Sequence, residues 1–184
     1  MPPLYQDKEL TKENVLSILR KIDSELEGLQ RKLKLYCLGG TQLALTDVRT
    51  VSKDIDFIVS YDDWRMLSGP VARIENKMEI RFDVFREGEF PNYTYPSYTS
   101  HAKRLHFSFN NLEIYSIDDA DFVLTKALSG RGVDYEDIET LLSKKTEIPK
   151  EVLIERFKNV KPMKGKEREI KDKFEKFLTE FYKR

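Results

Sequence analysis

The chain has 184 residues, of which 40% are hydrophobic and 35% are charged. This length suffices for one compact domain with a helical appendage, and the hydrophobic content excludes a disordered chain. The 32 basic and 32 acidic residues balance, which argues against a globally basic nucleic-acid-binding protein.

Cys37 is the single cysteine, which excludes an intramolecular disulfide and a cysteine-based zinc site and fits a reducing compartment. The first residues, MPPLYQDKELTKEN, are too charged for a secretory signal. No apolar run of the sequence approaches the roughly 18 residues that cross a membrane. We therefore expect a cytoplasmic protein without a membrane partner.

The first half of the chain alternates between helix-like and strand-like patterns. Apolar residues at helical spacing predict a first helix over 11–27, with Thr11 as its N-cap. The next elements are a strand, a helix, a strand and a helix, over 33–38, 41–48, 53–60 and 62–77. The Gly69-Pro70 pair predicts an interruption of the last helix, because proline removes a backbone hydrogen bond.

Residues 78–85 alternate between apolar and charged side chains, which predicts a strand with Arg81 and Asp83 on its polar face. The tyrosine-rich segment 86–103 is predicted to be a long loop. Its aromatic side chains either stack on a base or pack back on the protein. Two strands around an Asn110-Asn111 turn are expected within 104–117.

From residue 118 onward the pattern becomes helical. Two helices are predicted around Gly130 and Gly132, a third begins near Pro149, and a fourth covers about 166–183. The apolar stripe of the fourth helix is a candidate surface for a homodimer. This order predicts an α/β core with an N-terminal helix over 1–117, and a helical region over 118–184 packed on that core.

Asp54 and Asp56 lie inside the predicted strand 53–60. Residues i and i+2 of a strand point to the same face, so the two carboxylates project together. Adjacent carboxylates repel each other, and a protein tolerates the pair when a cation lies between them. Asp83 supplies a third carboxylate if its strand is a neighbour. Such a trio suits Mg²⁺ or Mn²⁺ and two-metal phosphoryl or nucleotidyl transfer, with Asp83 as a ligand or as the general base.

Gly39 and Gly40 separate a predicted strand from a predicted helix. Glycine lets the backbone approach a phosphate closely, and the helix that begins near Thr41 offers free N–H groups. The Thr41 hydroxyl is a candidate cap or phosphate contact, and Arg49 and Lys53 are candidate contacts of a phosphate or acceptor. Alone, a Gly-Gly pair is usually a turn and two such aspartates are usually solvated or capping groups. Their combination favours the functional interpretation.

The motifs Leu38-Gly39-Gly40, Asp54-Ile55-Asp56-Phe57 and Phe82-Asp83-Val84 together resemble those of the nucleotidyltransferase superfamily with the DNA-polymerase-β-like palm. Within it, "GGTQLAL…R…SKDIDF" looks most like the AbiEii-type toxins and related uncharacterised small prokaryotic nucleotidyltransferases. The resemblance covers about residues 35–142. It includes a downstream lysine, and an Arg-x-x-Asp-x-x-Asp element at Arg131, Asp134 and Asp137.

The resemblance implies an α+β fold, with a nucleotidyltransferase-type mixed sheet flanked by helices and a helical C-terminal part. It implies transfer of a nucleoside monophosphate from an NTP to an RNA (tRNA) or protein acceptor. Mg²⁺ or Mn²⁺ would be held by Asp54, Asp56 and Asp83. Lys126 would meet the triphosphate, its alternative being a solvated helix lysine.

The resemblance leaves two interpretations for the Arg-x-x-Asp-x-x-Asp element and two for the function. Arg131, Asp134 and Asp137 either serve catalysis or form a structural ion-pair network, with Asp134 as an N-cap. A toxin role would bring a cognate antitoxin as partner. The alternative function is a catalytically inactive palm-fold module that binds nucleotide or RNA together with a partner protein.

Overall fold

The structure, a computed structural model, describes residues 9–144 and 147–182. These residues divide into two compact units. The first holds the described residues up to Arg86 together with Ala102–Ser116, and the second holds Glu87–His101 and the described residues from Ile117 onward. The chain enters the second unit at Glu87, returns to the first at Ala102 and enters the second again at Ile117. The division into an α/β core over 1–117 and a helical region over 118–184 stays a prediction.

The described residues form seven α-helices, ten short strands and one 3₁₀ turn at Pro96–Thr99. In chain order the elements are β1 (Leu10–Thr11), α1 (Lys12–Ser24), β2 (Leu33–Cys37), α2 (Gly39–Leu45), β3 (Val51–Ser52), β4 (Ile55–Val59), α3 (Tyr61–Met78), β5 (Phe82–Arg86), β6 (Glu89–Phe90), β7 (Tyr93–Thr94), β8 (Lys103–Leu105), β9 (Leu112–Ser116), α4 (Asp119–Ser129), α5 (Gly132–Lys144), α6 (Lys150–Phe157), β10 (Lys161–Pro162) and α7 (Glu167–Tyr182).

The main sheet of the first unit has five strands in the order β5-β4-β2-β9-β8. The pairs β4–β5 and β2–β9 are parallel, whereas β2–β4 and β8–β9 are antiparallel. β8 and β9 form the antiparallel pair expected within 104–117. A mixed sheet accompanied by helices confirms the predicted fold class.

One face of this sheet forms the core of the first unit. Leu35, Phe57 and Ile114 are buried there against the apolar sides of α1 and α3. Helix α1 begins as predicted, because Thr11 closes a capping box with Asn14. Since strand side chains alternate, the residues between the core positions point to the opposite face, which carries the candidate site.

Helix α3 is continuous through Pro70, so the predicted interruption is wrong. A proline inside a helix costs about 3 kcal/mol or more. Leu67, Val71 and Ile74 lie on the same buried side of α3 and contact the core. Each buried side chain of this kind contributes about 1.5–3 kcal/mol, so burial of the apolar face outweighs the lost hydrogen bond.

Segment 86–103 is more ordered than the predicted loop. It contains β6, β7 and the 3₁₀ turn, and its aromatic side chains at 90, 93, 95 and 98 are buried. The Tyr95 hydroxyl donates a 2.7 Å hydrogen bond to Oδ1 of Asp121, which is fully buried in α4. The tyrosines therefore pack back on the protein, as one of the two alternatives predicted.

The second unit contains four helices, α4 to α7, and a small antiparallel sheet in the order β10-β7-β6. The helices occupy the predicted stretches, and α4 ends at Gly130, whose φ is +71°. Pro149 is the N-cap of α6. Helix α7 covers Glu167–Tyr182, and Lys183, the last residue of the predicted helix, lies outside the described residues.

Candidate active site

Three aspartates meet at the edge of the β4–β5 pair. Asp54 directly precedes β4, Asp56 is the second residue of β4, and Asp83 is the second residue of β5. The parallel register places Asp56 beside Asp83. Each residue offers a carboxylate oxygen that lies within 4.8 Å of the others, and all three are half-buried. The structure therefore brings together the trio predicted from the sequence, although Asp54 lies before the strand and not within it.

This donor set fits a hard divalent cation. Three carboxylates at such separations repel one another unless a positive charge lies among them. Carboxylate oxygens are the ligands that Mg²⁺ and Mn²⁺ prefer, and both ions keep water or substrate phosphates in the remaining positions. Asp83 also forms an ion pair with the Arg81 side chain, whose Nε and Nη2 both lie 3.0 Å from Oδ1 of Asp83.

Gly39 lies against the carboxylate of Asp56. Helix α2 begins at Gly39, earlier than predicted, and Gly39 has φ +51°. A Cβ atom at this position would lie 2.4 Å from Oδ2 of Asp56, and one at Gly40 would lie 2.5 Å from Oγ of Ser52. The side chains of Asp56 and Ser52 thus occupy the space beside the two glycines. A phosphate contact at Gly39 and Gly40 stays a prediction.

Two hydroxyl groups fix the backbone that carries the aspartates. Thr41 Oγ1 donates to the Asp54 carbonyl at 3.0 Å and accepts from the Asp56 N–H at 2.9 Å. Ser52 Oγ donates to the same carbonyl at 2.8 Å. A phosphate contact of Thr41 stays a prediction. Thr41 is fully buried and lies inside α2, whose N-cap is Leu38, so its predicted role as a helix cap is wrong. It positions Asp54 and Asp56 instead.

Thr41→Val is therefore expected to weaken Mn²⁺ binding by about 10–100-fold, the range typical of residues that orient metal ligands. Valine keeps the volume but leaves the Asp56 N–H without its acceptor, which costs about 1–3 kcal/mol of the free energy of unfolding. Thr41→Ser keeps the hydroxyl and is the matched control. Mn²⁺ titration and urea unfolding measure both effects. A folded Thr41→Val protein with wild-type Mn²⁺ affinity would contradict the positioning role.

Cys37 ends β2 one residue before the start of the Leu38-Gly39-Gly40 motif. The thiol is buried, and burial raises its pKa to about 12, with a further contribution from the negative charge of Asp56. A thiol with this pKa stays protonated near neutral pH, so it is no nucleophile.

The basic residues predicted to contact the nucleotide lie in different places. Arg49 and Lys53 are exposed and belong to the segment between α2 and β4, with Lys53 directly before Asp54. Lys126 belongs to α4 in the second unit. Its ammonium lies 2.9 Å from Asp134 Oδ1 and 2.7 Å from Asp137 Oδ2. The contacts of all three with a nucleotide stay predictions.

Lys126, Arg131, Asp134 and Asp137 form a charge-balanced network between α4 and α5, in which both aspartates are buried, Lys126 is half-buried and Arg131 is exposed. Arg131 Nε donates to Asp134 Oδ2 at 2.8 Å, and the Arg131 N–H donates to the same oxygen. Burial alone would raise the pKa of Asp134, but Arg131 and Lys126 outweigh it and lower this pKa to about 2. Burial likewise opposes the charge of Lys126, whose pKa is nevertheless raised by Asp137 and Asp134. This matches the structural alternative predicted for these residues, except that Asp134 lies in the first turn of α5 and is not its N-cap.

Lys126→Met is expected to reduce the free energy of unfolding by about 3–5 kcal/mol, because it leaves two buried carboxylates with less compensation. The lysine side chain is only 13% exposed. Lys171→Met is the matched control, since its 3.6 Å pair with Glu175 is on the surface and contributes about 0–1 kcal/mol. Urea unfolding at pH 7 measures both variants. If Lys126→Met lost no more free energy of unfolding than Lys171→Met, the network would not stabilise the second unit.

Sequence and structure comparisons assign the fold family. The model of the family described as "Nucleotidyltransferase of unknown function (DUF6036)" matches residues 13–181, which is most of the chain. The chain belongs to this family. The structure is also similar to the crystal structure of an antigenic nucleotidyltransferase-like protein from Paracoccidioides brasiliensis, with a TM-score of 0.55 and 12% sequence identity.

That similarity covers 95% of this chain and 92% of the fungal protein, so it concerns the whole fold. At this identity it supports the fold and not a shared activity. None of the curated proteins matches the chain in sequence. The family match thus confirms the nucleotidyltransferase superfamily predicted from the motifs.

Among the helices that the structure describes, none has the length and apolar content needed to cross a membrane.

Sequence reasoning missed two residues of the site. Ser52 has no sequence signal of its own, because its role depends on β3 lying against α2. The contact of Arg81 had a signal, since Arg81 and Asp83 are two residues apart and were predicted on one face. The pairing itself was not predicted.

Proposed function

We propose that the protein is a metal-dependent nucleotidyltransferase that moves a nucleoside monophosphate from an NTP to an RNA (tRNA) or protein acceptor. One observation carries the proposal: the carboxylates of Asp54, Asp56 and Asp83 converge within 4.8 Å on the parallel β4–β5 pair. The family assignment supports a transferase of this general class.

In this proposal Asp54, Asp56 and Asp83 hold Mg²⁺ or Mn²⁺. When bound there, the metal would neutralise charge on the triphosphate and lower the pKa of the attacking hydroxyl. Thr41 and Ser52 keep the main chain of Asp54 and Asp56 in place through their hydroxyl groups. Alternatively, Asp83 accepts the proton of the acceptor hydroxyl as general base.

Arg49 and Lys53 are proposed to contact phosphate or acceptor, because both are exposed and lie shortly before Asp54 in the chain. Lys126 is proposed for the triphosphate on the resemblance alone, and it would have to exchange Asp134 and Asp137 for phosphate. A toxin role, a cognate antitoxin and a homodimer are also proposals, and they rest on the resemblance to the AbiEii-type group and on the apolar stripe of α7.

The experiment is transfer of label from each of the four α-³²P-labelled NTPs, with Mg²⁺ or Mn²⁺, to total RNA and to a protein mixture. Metal-dependent labelling of a discrete acceptor is expected for wild type and not for Asp83→Asn. Binding of NTP and metal without any label transfer would instead favour the inactive binding module. Labelling that does not need Asp83 or a metal would contradict the proposed site.

A further inference from the structure

Arg81 contacts the acidic cluster at two points: its main chain is hydrogen-bonded to the start of β4, and its exposed side chain contacts Asp83. Its carbonyl accepts a 3.0 Å hydrogen bond from the N–H of Ile55, the residue between Asp54 and Asp56. The main chain of Arg81 is therefore tied to the aspartates of β4. Its Nε donates a hydrogen bond to Oδ1 of Asp83, and its Nη2 lies 3.0 Å from the same oxygen. The Arg81 side chain is 60% exposed, whereas the Asp83 side chain is 30% exposed.

The guanidinium and a divalent cation bound at the trio would both act on Asp83. Two positive charges at one carboxylate repel each other, and the divalent ion binds an oxygen more closely than the guanidinium does. The guanidinium is the partner that can leave, because the Arg81 side chain is more than half exposed. A guanidinium also fits phosphate well, since its N–H groups form two parallel hydrogen bonds with phosphate oxygens.

We propose that Arg81 releases Asp83 when the metal binds and then binds the phosphates of the nucleotide. The exchange deepens, and rests on, the proposed function. It makes Arg81 a substrate-binding residue that couples the two ligands: the metal frees the guanidinium, and the nucleotide supplies its new partner. By reciprocity, bound nucleotide then tightens metal binding.

An Arg81 guanidinium that stayed on Asp83 would have the opposite effects on metal binding and nucleotide binding. If the guanidinium stayed on Asp83 and held that carboxylate towards the metal, its removal would weaken metal binding in the absence of nucleotide. It would leave the affinity of the metal-loaded protein for nucleotide unchanged. Metal affinity without nucleotide and nucleotide affinity at saturating metal therefore distinguish exchange from orientation.

The test compares Arg81→Gln with Arg73→Gln as a matched control. Arg73 is 63% exposed and binds Glu25 in the same manner, through Nε at 2.8 Å and Nη2 at 2.7 Å, but it belongs to α3 and does not contact the trio. Mn²⁺ binding is measured by electron paramagnetic resonance without nucleotide. Binding of non-hydrolysable NTP analogues is measured by calorimetry at saturating Mn²⁺, and melting curves establish that each variant is folded.

We expect Arg81→Gln to bind Mn²⁺ at least as tightly as wild type and to bind the NTP analogue about 10-fold or more weakly, as for loss of a charged hydrogen bond. Arg73→Gln should match wild type in both. Weaker Mn²⁺ binding, or an unchanged NTP affinity, in Arg81→Gln overturns the exchange. If wild type itself binds neither ligand, it is the proposed function that fails.

Discussion

Replacing Asp54 and Asp56 together by asparagine is expected to abolish the metal-dependent rise in melting temperature that NTPs produce, and to slow nucleotidyl transfer on the order of 10³-fold or more. Asparagine keeps the size of the side chain but removes two of the three charges that attract the metal. The unliganded variant should melt at the wild-type temperature or above it, because repulsion among the carboxylates is relieved.

The measurement is a thermal shift with each of the four NTPs, with and without Mg²⁺ or Mn²⁺. The control is Asp62→Asn with Asp172→Asn, which removes the same charge from exposed positions with ion pairs of 3.8 and 3.7 Å. This control should respond to NTP and metal as wild type does. A metal-dependent shift that survives in the Asp54, Asp56 variant would show that the metal binds elsewhere.

The second large effect is expected from Gly39→Ala. The added Cβ would lie 2.4 Å from Oδ2 of Asp56, so the carboxylate must move away from its place among the three aspartates. Alanine at φ +51° also costs about 1–2 kcal/mol of the free energy of unfolding. We expect Mn²⁺ affinity to fall about 10–100-fold, as when a residue that orients a ligand is lost.

Gly28→Ala separates these two causes. Gly28 has φ +82°, and no heavy atom outside its chain neighbours lies within 4 Å of an added Cβ. Gly28→Ala should lower the free energy of unfolding, measured in urea, by the cost of alanine at a positive φ. Its Mn²⁺ affinity should equal that of wild type. If both glycine variants bind Mn²⁺ equally well, the contact between Gly39 and Asp56 has no part in the metal site.

The helices and most strands could be predicted because their burial follows local periodicity. The acidic trio could also be predicted in part, since β4, α3 and β5 follow one another and a parallel pair through a crossover helix is the common arrangement. The register that sets Asp56 beside Asp83 is a tertiary property. The sequence pattern alone does not determine it.

Other features depend on contacts between distant segments, which the sequence pattern does not show. Pro70 suggests a break in α3, but burial of the apolar face decides the outcome. Thr41 is predicted as a helix cap, but its hydroxyl instead binds the backbone of residues 54 and 56. Lys126 has the charge for a phosphate, and only the packing of α4 with α5 reveals its two carboxylate partners.

The most direct test of the metal site is the anomalous difference map of crystals grown with Mn²⁺ and a non-hydrolysable NTP analogue, recorded at the manganese absorption edge. We expect a peak at about 2.1 Å from carboxylate oxygens of Asp54, Asp56 or Asp83, with the triphosphate completing the coordination. A nucleotide bound without a manganese peak at these aspartates, or a peak at other residues, would contradict it.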